Sequence, residues 1–426
     1  MRILHVLDYL PELHSAVGGA EFVAQRIIHE QAKQGVDVHI ATLLPEKSVQ
    51  RPPWTRAYHF SNLDRLSAKL AYAVKQLYLP IDPLSARGVR KAIEESQPDL
   101  VHYHNLHFSG LSVLECSRAV SIPSVLSIYD YWLFCPSFML LASGDFLCDR
   151  GHGGHCVDCV GSKRLPWLRG LKKSFFQSRV GVFERFATMP DHLIALSEAS
   201  KQLMIDRGVT GQRIEVIPQY IWEEGAESSV NDSPVPGRMT YVGWVERRKG
   251  LHVVVAALAK IAATYPEAHL EVLGLPADQD YQRQVEKFID ENGLADRVKF
   301  RGRLPREQLL SALQSSQLVV VPEQWENMSP VILTEALAAG CAVLASRIGG
   351  IKHFVNDYQD GLLADRLSPA SFAEKMSWAF DHPSELADMR HAARRRALSL
   401  FGVGVVNMKM NTLYERAIAR NNGENE

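Results

Sequence analysis

Short apolar runs alternate along the chain with longer stretches whose apolar residues recur at helical spacing, the pattern of a parallel sheet covered on both faces. The first run, Ile3-Leu4-His5-Val6-Leu7, reads as a buried strand. A polar loop ending Val17-Gly18-Gly19 follows, then Phe22, Val23, Ile27, Ile28 and Gln31-Ala32 at helical spacing up to Gly35, then a strand over 36–42. This is a strand, helix, strand unit with paired glycines after its first strand. The same grammar recurs with strands at 99–104, 124–128 and 192–197. Between Tyr220 and Arg238 the composition turns to Glu, Gly, Ser, Asn, Asp and Pro, which predicts an interdomain linker. A second set then begins, with strands at 239–243, 269–274, 298–302, 318–322 and 342–346 and a helix from about Leu251. The pattern predicts an α/β chain of two doubly wound, Rossmann-like parallel-sheet domains, 1–220 and 221–400, facing a central cleft. A last helix within 401–426 is expected to cross back to the first domain.

Composition narrows the class. The chain has 426 residues, 46% hydrophobic and 22% charged, enough for a sizeable core. Its 47 Lys+Arg against 48 Asp+Glu give no general electrostatic footprint for nucleic acid, which is not expected as a partner. His5 and Asp8 break the opening apolar run too early for a secretory signal. No stretch approaches the roughly 18 uninterrupted apolar residues of a spanning helix. The expected location is therefore cytoplasmic, with any membrane contact peripheral, at the inner face of the cytoplasmic membrane.

The most informative chemistry lies in 321–340. A strand leads into the acidic loop Pro322-Glu323-Gln324-Trp325-Glu326-Asn327-Met328, then into a helix with Ser329 as predicted N-cap, Pro330 at its first position and Gly340 as its stop. Free backbone N–H groups at that helix start make an anion site, so a phosphorylated ligand can sit there while Glu326 or Glu335 accepts sugar hydroxyls. An ordinary capped helix with an acidic first turn is the alternative.

With Gly18-Gly19-Ala20-Glu21, residues 191–197, Ile214-Glu215-Val216-Ile217-Pro218, Tyr241-Val242-Gly243 followed by Lys249-Gly250, residues 298–302, the 322–340 segment, and Ser346-Arg347-Ile348-Gly349-Gly350 with Asp360-Gly361-Leu362-Leu363, the chain resembles glycosyltransferase family 4. These are retaining, nucleotide-sugar-dependent enzymes of the two-domain GT-B fold. The resemblance implies that Gly18 and Gly19 let the backbone approach a donor diphosphate. It implies that Lys249 contacts that diphosphate and that Glu335 bonds the nucleotide ribose. It further implies transfer of a sugar to a hydroxyl of a glycan or lipid-linked acceptor, in surface polysaccharide or glycoconjugate assembly, with no cofactor required for catalysis.

The chain departs from the family pattern at four places. Trp244 stands where an arginine is usual, and Arg247 or Arg248 is the candidate replacement cation. The first glutamate of the family's pair falls on Asn327, with Glu326 one residue early, so either side chain is a candidate for the donor sugar. Tyr129 replaces a common histidine ahead of Asp130-Tyr131-Trp132, and His353 replaces a glutamate. Tyr129, Asp130 and His107 are the acceptor-side or cleft candidates. Two other readings compete with the transferase: a nucleotide-sugar epimerase or hydrolase on the same fold, and a nucleotide-sugar-binding subunit whose catalysis has decayed.

Three features stand apart. Cys135, Cys148, Cys156 and Cys159 fall within a polar, glycine-rich insertion at about 133–162, where the Cys156-Val157-Asp158-Cys159 spacing suits structural zinc, with reduced thiols or a disulfide as alternatives. His102, His104 and His107 suggest either a metal site or core histidines, the latter favoured by their place at a strand end. Basic residues interleave with Trp167, Phe175 and Phe176 over 163–179, suiting an anionic membrane surface or a helix packed on its own domain.

Overall fold

A computed structural model describes residues 1–14, 18–45, 56–62, 81–142, 145–160, 167, 169–221 and 229–421. Val17, residues 163–166 and 168 of the basic segment, residues 222–228 of the linker and the tail 422–426 lie outside the described residues. The chain divides into two compact units, Met1–Tyr220 with Val406–Glu426, and Ile221–Val405.

The first unit holds a seven-stranded sheet in the order β3-β2-β1-β4-β5-β6-β7. Its strands are β1 Arg2–Leu7, β2 Asp37–Leu43, β3 Arg56–Phe60, β4 Leu100–Tyr103, β5 Ser124–Ile128, β6 His192–Ala195 and β7 Ile214–Val216. The second unit holds six, in the order β10-β9-β8-β11-β12-β13. These are β8 Val235–Val242, β9 His269–Leu273, β10 Val298–Phe300, β11 Ser316–Val321, β12 Val343–Ser346 and β13 Leu362–Ala364. Every neighbouring strand pair is parallel. Strands buried on both faces need apolar side chains at successive positions, which is why β5 and β12 read as continuous buried runs rather than alternating ones. This is the GT-B arrangement of two Rossmann-like sheets.

The linker expectation needs one correction. Val235–Arg238 already belong to β8, because Pro234 and Pro236 fall where the strand begins, the place where a sheet tolerates a missing N–H donor.

In both sheets the strand order reverses beside the first strand of the unit. One switch point lies between β1 and β4, the other between β8 and β11. The loops leaving the carboxyl ends of such strands line the crevice where open α/β sheets bind ligands. In the second unit those loops are 243–250 and 322–330, the two segments that carry the charged motif residues.

Candidate active site

The loop after β8 turns through a 3₁₀ segment, Arg247–Lys249, and leaves it at Gly250 with φ of 75°. A side chain there would place its Cβ 1.8 Å from the Pro322 carbonyl oxygen, so only glycine lets this loop lie against the one after β11. The two loops are further joined by the Gln324 N–H, which donates to the Arg248 carbonyl at 2.8 Å.

This contact sets Lys249 beside Glu323. The ammonium lies 2.5 Å from one carboxylate oxygen, and the Trp325 indole N–H donates to the other at 2.5 Å. The Glu323 side chain is only 3% exposed, so its charge is tolerated because both oxygens are occupied. Arg248 lies over the Trp325 ring at 5.1 Å and pairs with Glu246 at 2.6 Å. Arg248 and Lys249 are thus each held by a carboxylate at one switch point, with Arg247 beside them in the same 3₁₀ segment. Sequence reasoning missed Glu323; its signal was an acidic residue directly after a buried strand.

Within 322–330, Asn327 is 7% exposed and its side-chain oxygen accepts the Ser329 N–H at 3.2 Å. The loop after β12 braces the same residue, since the Gly350 N–H donates to the Asn327 carbonyl at 2.9 Å. Gly349, with φ of 53°, leaves no room there for a Cβ, which would fall 2.4 Å from that carbonyl oxygen. Glu326 beside it is half-buried.

Ser329 is not the N-cap that was expected. The helix runs Val331–Ala338 and Pro330 caps it, because the Ser329 N–H is spent on Asn327 while the Pro330 carbonyl accepts from Leu333 and Thr334. The Ser329 hydroxyl is instead left buried without a hydrogen-bond partner. Glu335, on this helix, pairs with Arg306 at 2.6 Å. No local pattern signals Arg306, which arrives from the preceding helix, Arg306–Ser315.

In the first unit Gly18 caps the helix Gly19–Lys33 in extended backbone, φ of −126°, and its N–H donates to Glu21 at 2.8 Å. Among the described residues, a Cβ at Gly18 would meet its nearest atom, Glu21 Oε2, at 3.4 Å, an ordinary contact. Asp8, at the end of β1, accepts the Phe108 and Ser109 N–H groups at 2.6 and 2.8 Å. It thereby holds the loop after β4, which carries His107. Burial raises the Asp8 carboxyl to about 7 against those hydrogen bonds. His107 packs edge-on against Phe138 of the cysteine insertion at 4.8 Å, and burial lowers its pKa to about 4. Asp130 accepts the Trp132 N–H at 2.9 Å, a local turn contact.

Among the described residues, the one set of three or more His, Cys, Asp or Glu ligand atoms lying within 4.8 Å of one another is His5, His102 and His104. It has the proximity of a metal site but different chemistry. Tyr129 bonds His104 at 2.6 Å, His104 bonds His5 at 2.9 Å, and His5 bonds Gln31 at 2.8 Å. Gln31 bonds Tyr414 at 2.7 Å, Tyr414 bonds His102 at 2.6 Å, and His102 bonds Ser127 at 2.8 Å. A Ser127–Tyr129 hydrogen bond closes the circle. Three neutral imidazoles, three hydroxyls and one amide offer one proton for each of the seven bonds, so the ring is satisfied without charge. Flipping the Gln31 amide reverses every bond and leaves it equally satisfied. A metal would need imidazole lone pairs already in use, so these are core histidines. Burial accordingly lowers His5 to about 4 and His102 and His104 well below their ordinary value.

The four clustered cysteines are not in disulfides, with Cys135 and Cys156 buried, Cys148 half-buried and Cys159 exposed.

Comparison with known proteins places both units. Residues 17–221 match the family described as Glycosyltransferase Family 4, and residues 231–396 match Glycosyl transferases group 1. The chain belongs to the group 1/family 4 glycosyltransferases. Over 163 residues it is 32% identical to D-inositol 3-phosphate glycosyltransferase of Corynebacterium urealyticum, a match covering 36% of this chain and 38% of that one. Over 169 residues it is 31% identical to glycogen synthase of Mycobacterium tuberculosis, 39% of each chain. The chain thus spans about two-fifths of the length of these relatives. The 2-deoxystreptamine N-acetyl-D-glucosaminyltransferase of Streptomyces fradiae matches over 99% of this chain and 98% of its own length, at 24% identity. Two solved family-fold structures are similar at 18% identity. Anabaena HepE in complex with UDP has a TM-score of 0.70, covering 98% of this chain and 100% of that one. Sucrose-phosphate synthase of Thermosynechococcus elongatus has a TM-score of 0.72, covering 98% and 99%.

Proposed function

We propose that the protein is a retaining glycosyltransferase that moves a sugar from a nucleoside diphosphate sugar to a hydroxyl of a glycan or lipid-linked acceptor, in surface polysaccharide or glycoconjugate assembly. The observation that carries this reading is the interlocked pair of loops at the β8/β11 switch point. It sets the cationic stretch Arg247–Lys249 against the loop leading into the helix Val331–Ala338, in which the Ser329 hydroxyl is buried without a hydrogen-bond partner. A diphosphate can interact with that cationic stretch and offer an acceptor to the hydroxyl. The relatives' names as sugar transferases and the UDP complex of HepE support the same ligand class.

In this mechanism Lys249 and an adjacent arginine stabilise charge developing on the departing nucleotide, with Glu323 holding the lysine in place beforehand. Glu335, paired with Arg306, accepts the ribose hydroxyls. Because the Asn327 oxygen is engaged in its own turn, Glu326 is the better acceptor for donor-sugar hydroxyls. Gly18 and Gly19 leave the backbone at the start of the helix Gly19–Lys33 open to close approach by a ligand. No described helix is long and apolar enough to cross a membrane. The protein acts in the cytoplasm, touching the membrane peripherally where the acceptor is lipid-linked.

The test is nucleotide release from UDP-, GDP- and ADP-sugars, with and without a lipid extract from the source cells. Acceptor-dependent release that falls roughly 10²–10³-fold in Lys249→Ala, and also falls in Glu335→Ala, supports the transferase. Release without acceptor supports an epimerase or hydrolase, and donor binding with no release under any condition supports a binding subunit.

A further inference from the structure

The parallel ladder between β8 and β9 runs on past the ends of both strands. Its register sets Val242 opposite Leu273. The Gly243 N–H then donates to the Leu273 carbonyl and the Val245 N–H to the Leu275 carbonyl, both at 3.0 Å, and Val245 pairs with Pro276 in a parallel bridge. The register is unchanged across this stretch, so Trp244 falls opposite Leu275. Neighbouring parallel strands lie about 4.8 Å apart, which makes these two positions adjacent on the carboxyl edge of the sheet.

The place is tightly built. A Cβ at Gly274 would fall 1.8 Å from the Gly243 carbonyl oxygen, so the two chains run as close as they do only without one. The buried Tyr241 hydroxyl donates to the Trp244 carbonyl at 2.7 Å, and Val245 is wholly buried. Yet Trp244 is 46% exposed and Leu275 43%. Exposed apolar side chains are ordinary when scattered singly. An indole and an isobutyl group in register, on backbone fixed by hydrogen bonds, are instead a ready-made apolar platform.

Its surroundings indicate what it meets. Tyr241 and Val245 belong to the core that contains Leu251 and Val253, whereas Val242 packs on the other core, with Leu333 and Leu337 of the helix Val331–Ala338. Alternation puts Trp244 on the Val242 face, the face covered by the helix that carries Glu335. The Lys249 stem lies 3.9 Å from the place a Gly243 Cβ would occupy, so the platform borders the cationic stretch. Glu326 and Asn327 lie on the other side, toward the loop after β12 that braces Asn327. Across the sheet the order is an apolar platform at β9 and β8, cations between β8 and β11, and a polar loop between β11 and β12. A nucleoside diphosphate sugar has its flat base, its diphosphate and its polyhydroxyl ring in that same order.

We propose that Trp244 and Leu275 form the stacking platform for the nucleobase of the donor. The proposal rests on the transferase reading above and adds how the base is held. Stacking meets any base by its face, so it contributes affinity with little choice among uracil, guanine and adenine. The backbone is fixed beforehand, so little ordering is lost on binding. Trp244 is a binding residue that takes no part in the group transfer.

The test is calorimetric titration of the full-length chain with UDP, GDP, ADP and inorganic pyrophosphate, beside donor and acceptor kinetics. In Trp244→Ala, affinity for each nucleotide is expected to fall roughly tenfold or more, with pyrophosphate unchanged within about twofold and donor KM raised at constant kcat. Trp244→Phe keeps most of the affinity, and Leu275→Ser loses it several-fold. UDP is expected to quench the indole fluorescence of the wild type, a change lost in Trp244→Phe. Equal nucleotide affinity in wild type and Trp244→Ala overturns the platform and leaves the transferase standing. A raised acceptor KM with unchanged nucleotide affinity assigns the platform to the acceptor and overturns the base assignment. Pyrophosphate affinity falling in step with nucleotide affinity also overturns it, marking Trp244 as a support of the cationic loop. No binding of any of the three nucleotides to the wild type removes the transferase reading itself, and the platform with it.

Discussion

At the residue scale the decisive carboxylate is Glu323. Its burial makes it dependent on Lys249 and the Trp325 indole, and makes Lys249 a pre-positioned cation rather than a mobile one. Glu323→Gln keeps an acceptor for the indole and leaves the Lys249 ammonium without its main counter-charge. Stability is expected to fall by about 2 kcal/mol, since Lys249 keeps some access to water. Nucleoside diphosphate binding is expected to tighten, because the ligand then supplies that counter-charge. Urea unfolding and calorimetric titration with UDP check both, and unchanged affinity would place the diphosphate away from Lys249. Two glycines give a second contrast. Gly250→Ala drives a Cβ into the Pro322 carbonyl and is expected to separate the two loops, costing about 2–4 kcal/mol and nucleotide binding together. Gly18→Ala meets Glu21 at ordinary contact distance and weakens the N-cap, so stability is expected to fall by no more than about 1 kcal/mol while kcat/KM falls at least tenfold. Loss of fold in Gly18→Ala, seen by circular dichroism, would remove the argument that a ligand demands this glycine.

At the element scale the histidine ring joins β1, β4, β5, the helix Gly19–Lys33 and the C-terminal helix Val403–Asn421 through seven side chains. Tyr414→Phe leaves His102 Nδ1 and the Gln31 amide without a partner, a cost of about 1–3 kcal/mol. The ring is also sensitive to acid. His5 titrates near 4 in the fold and near its ordinary 6.5 when unfolded, so the unfolded chain binds more protons between those values. Its contribution is complete above pH 6.5 and is lost as pH falls toward 4, by roughly 3 kcal/mol for His5 alone. The titratable groups facing the ring, Glu21 and Tyr220, do not reverse that sign, because neither gives the imidazoles a hydrogen-bonded counter-charge. Thermal melts at pH 7.5 and 5 should show the loss, smaller in Tyr414→Phe. The helix Arg169–Ala187 divides its residues differently. Phe176, Arg179 and Phe183 are buried, while Leu171 and Phe175 are 56% and 40% exposed, as is Trp167, ahead of the helix, at 76%. Replacing those three by serine is expected to weaken sedimentation with phosphatidylglycerol vesicles several-fold without altering Tm; equal binding would assign the segment to the protein's own surface.

At the scale of the whole molecule, the two sheets were legible because buried parallel strands announce themselves as apolar runs. The edge strands were harder: Arg56-Ala57-Tyr58-His59-Phe60 mixes polar and apolar residues, and Ile214–Val216 and Leu362–Ala364 are three residues long. Of the site, the glycines and charged loops could be found because each is contiguous. Glu323 with Lys249, Arg306 with Glu335, and the seven-membered ring could not, since their partners lie 74, 29 and up to 383 residues apart and meet only through the strand order. That separation also assigns the two sensitivities to different units. The diphosphate loops belong to Ile221–Val405, whereas the acid-labile ring belongs wholly to Met1–Tyr220 with Val406–Glu426. Each unit has its own sheet and core, so calorimetry is expected to resolve two unfolding transitions. Saturating UDP, at about a hundred times its Kd, adds about 2.7 kcal/mol to the transition of the second unit, raising it by roughly 5–11 °C. Lowering the pH from 7.5 to 5 moves the other transition down. A single transition that answers equally to ligand and acid would mean that the C-terminal helix, whose first residues lie in one unit and whose Tyr414 sits in the other, binds both into one cooperative structure. In that case Tyr414→Phe should split it in two.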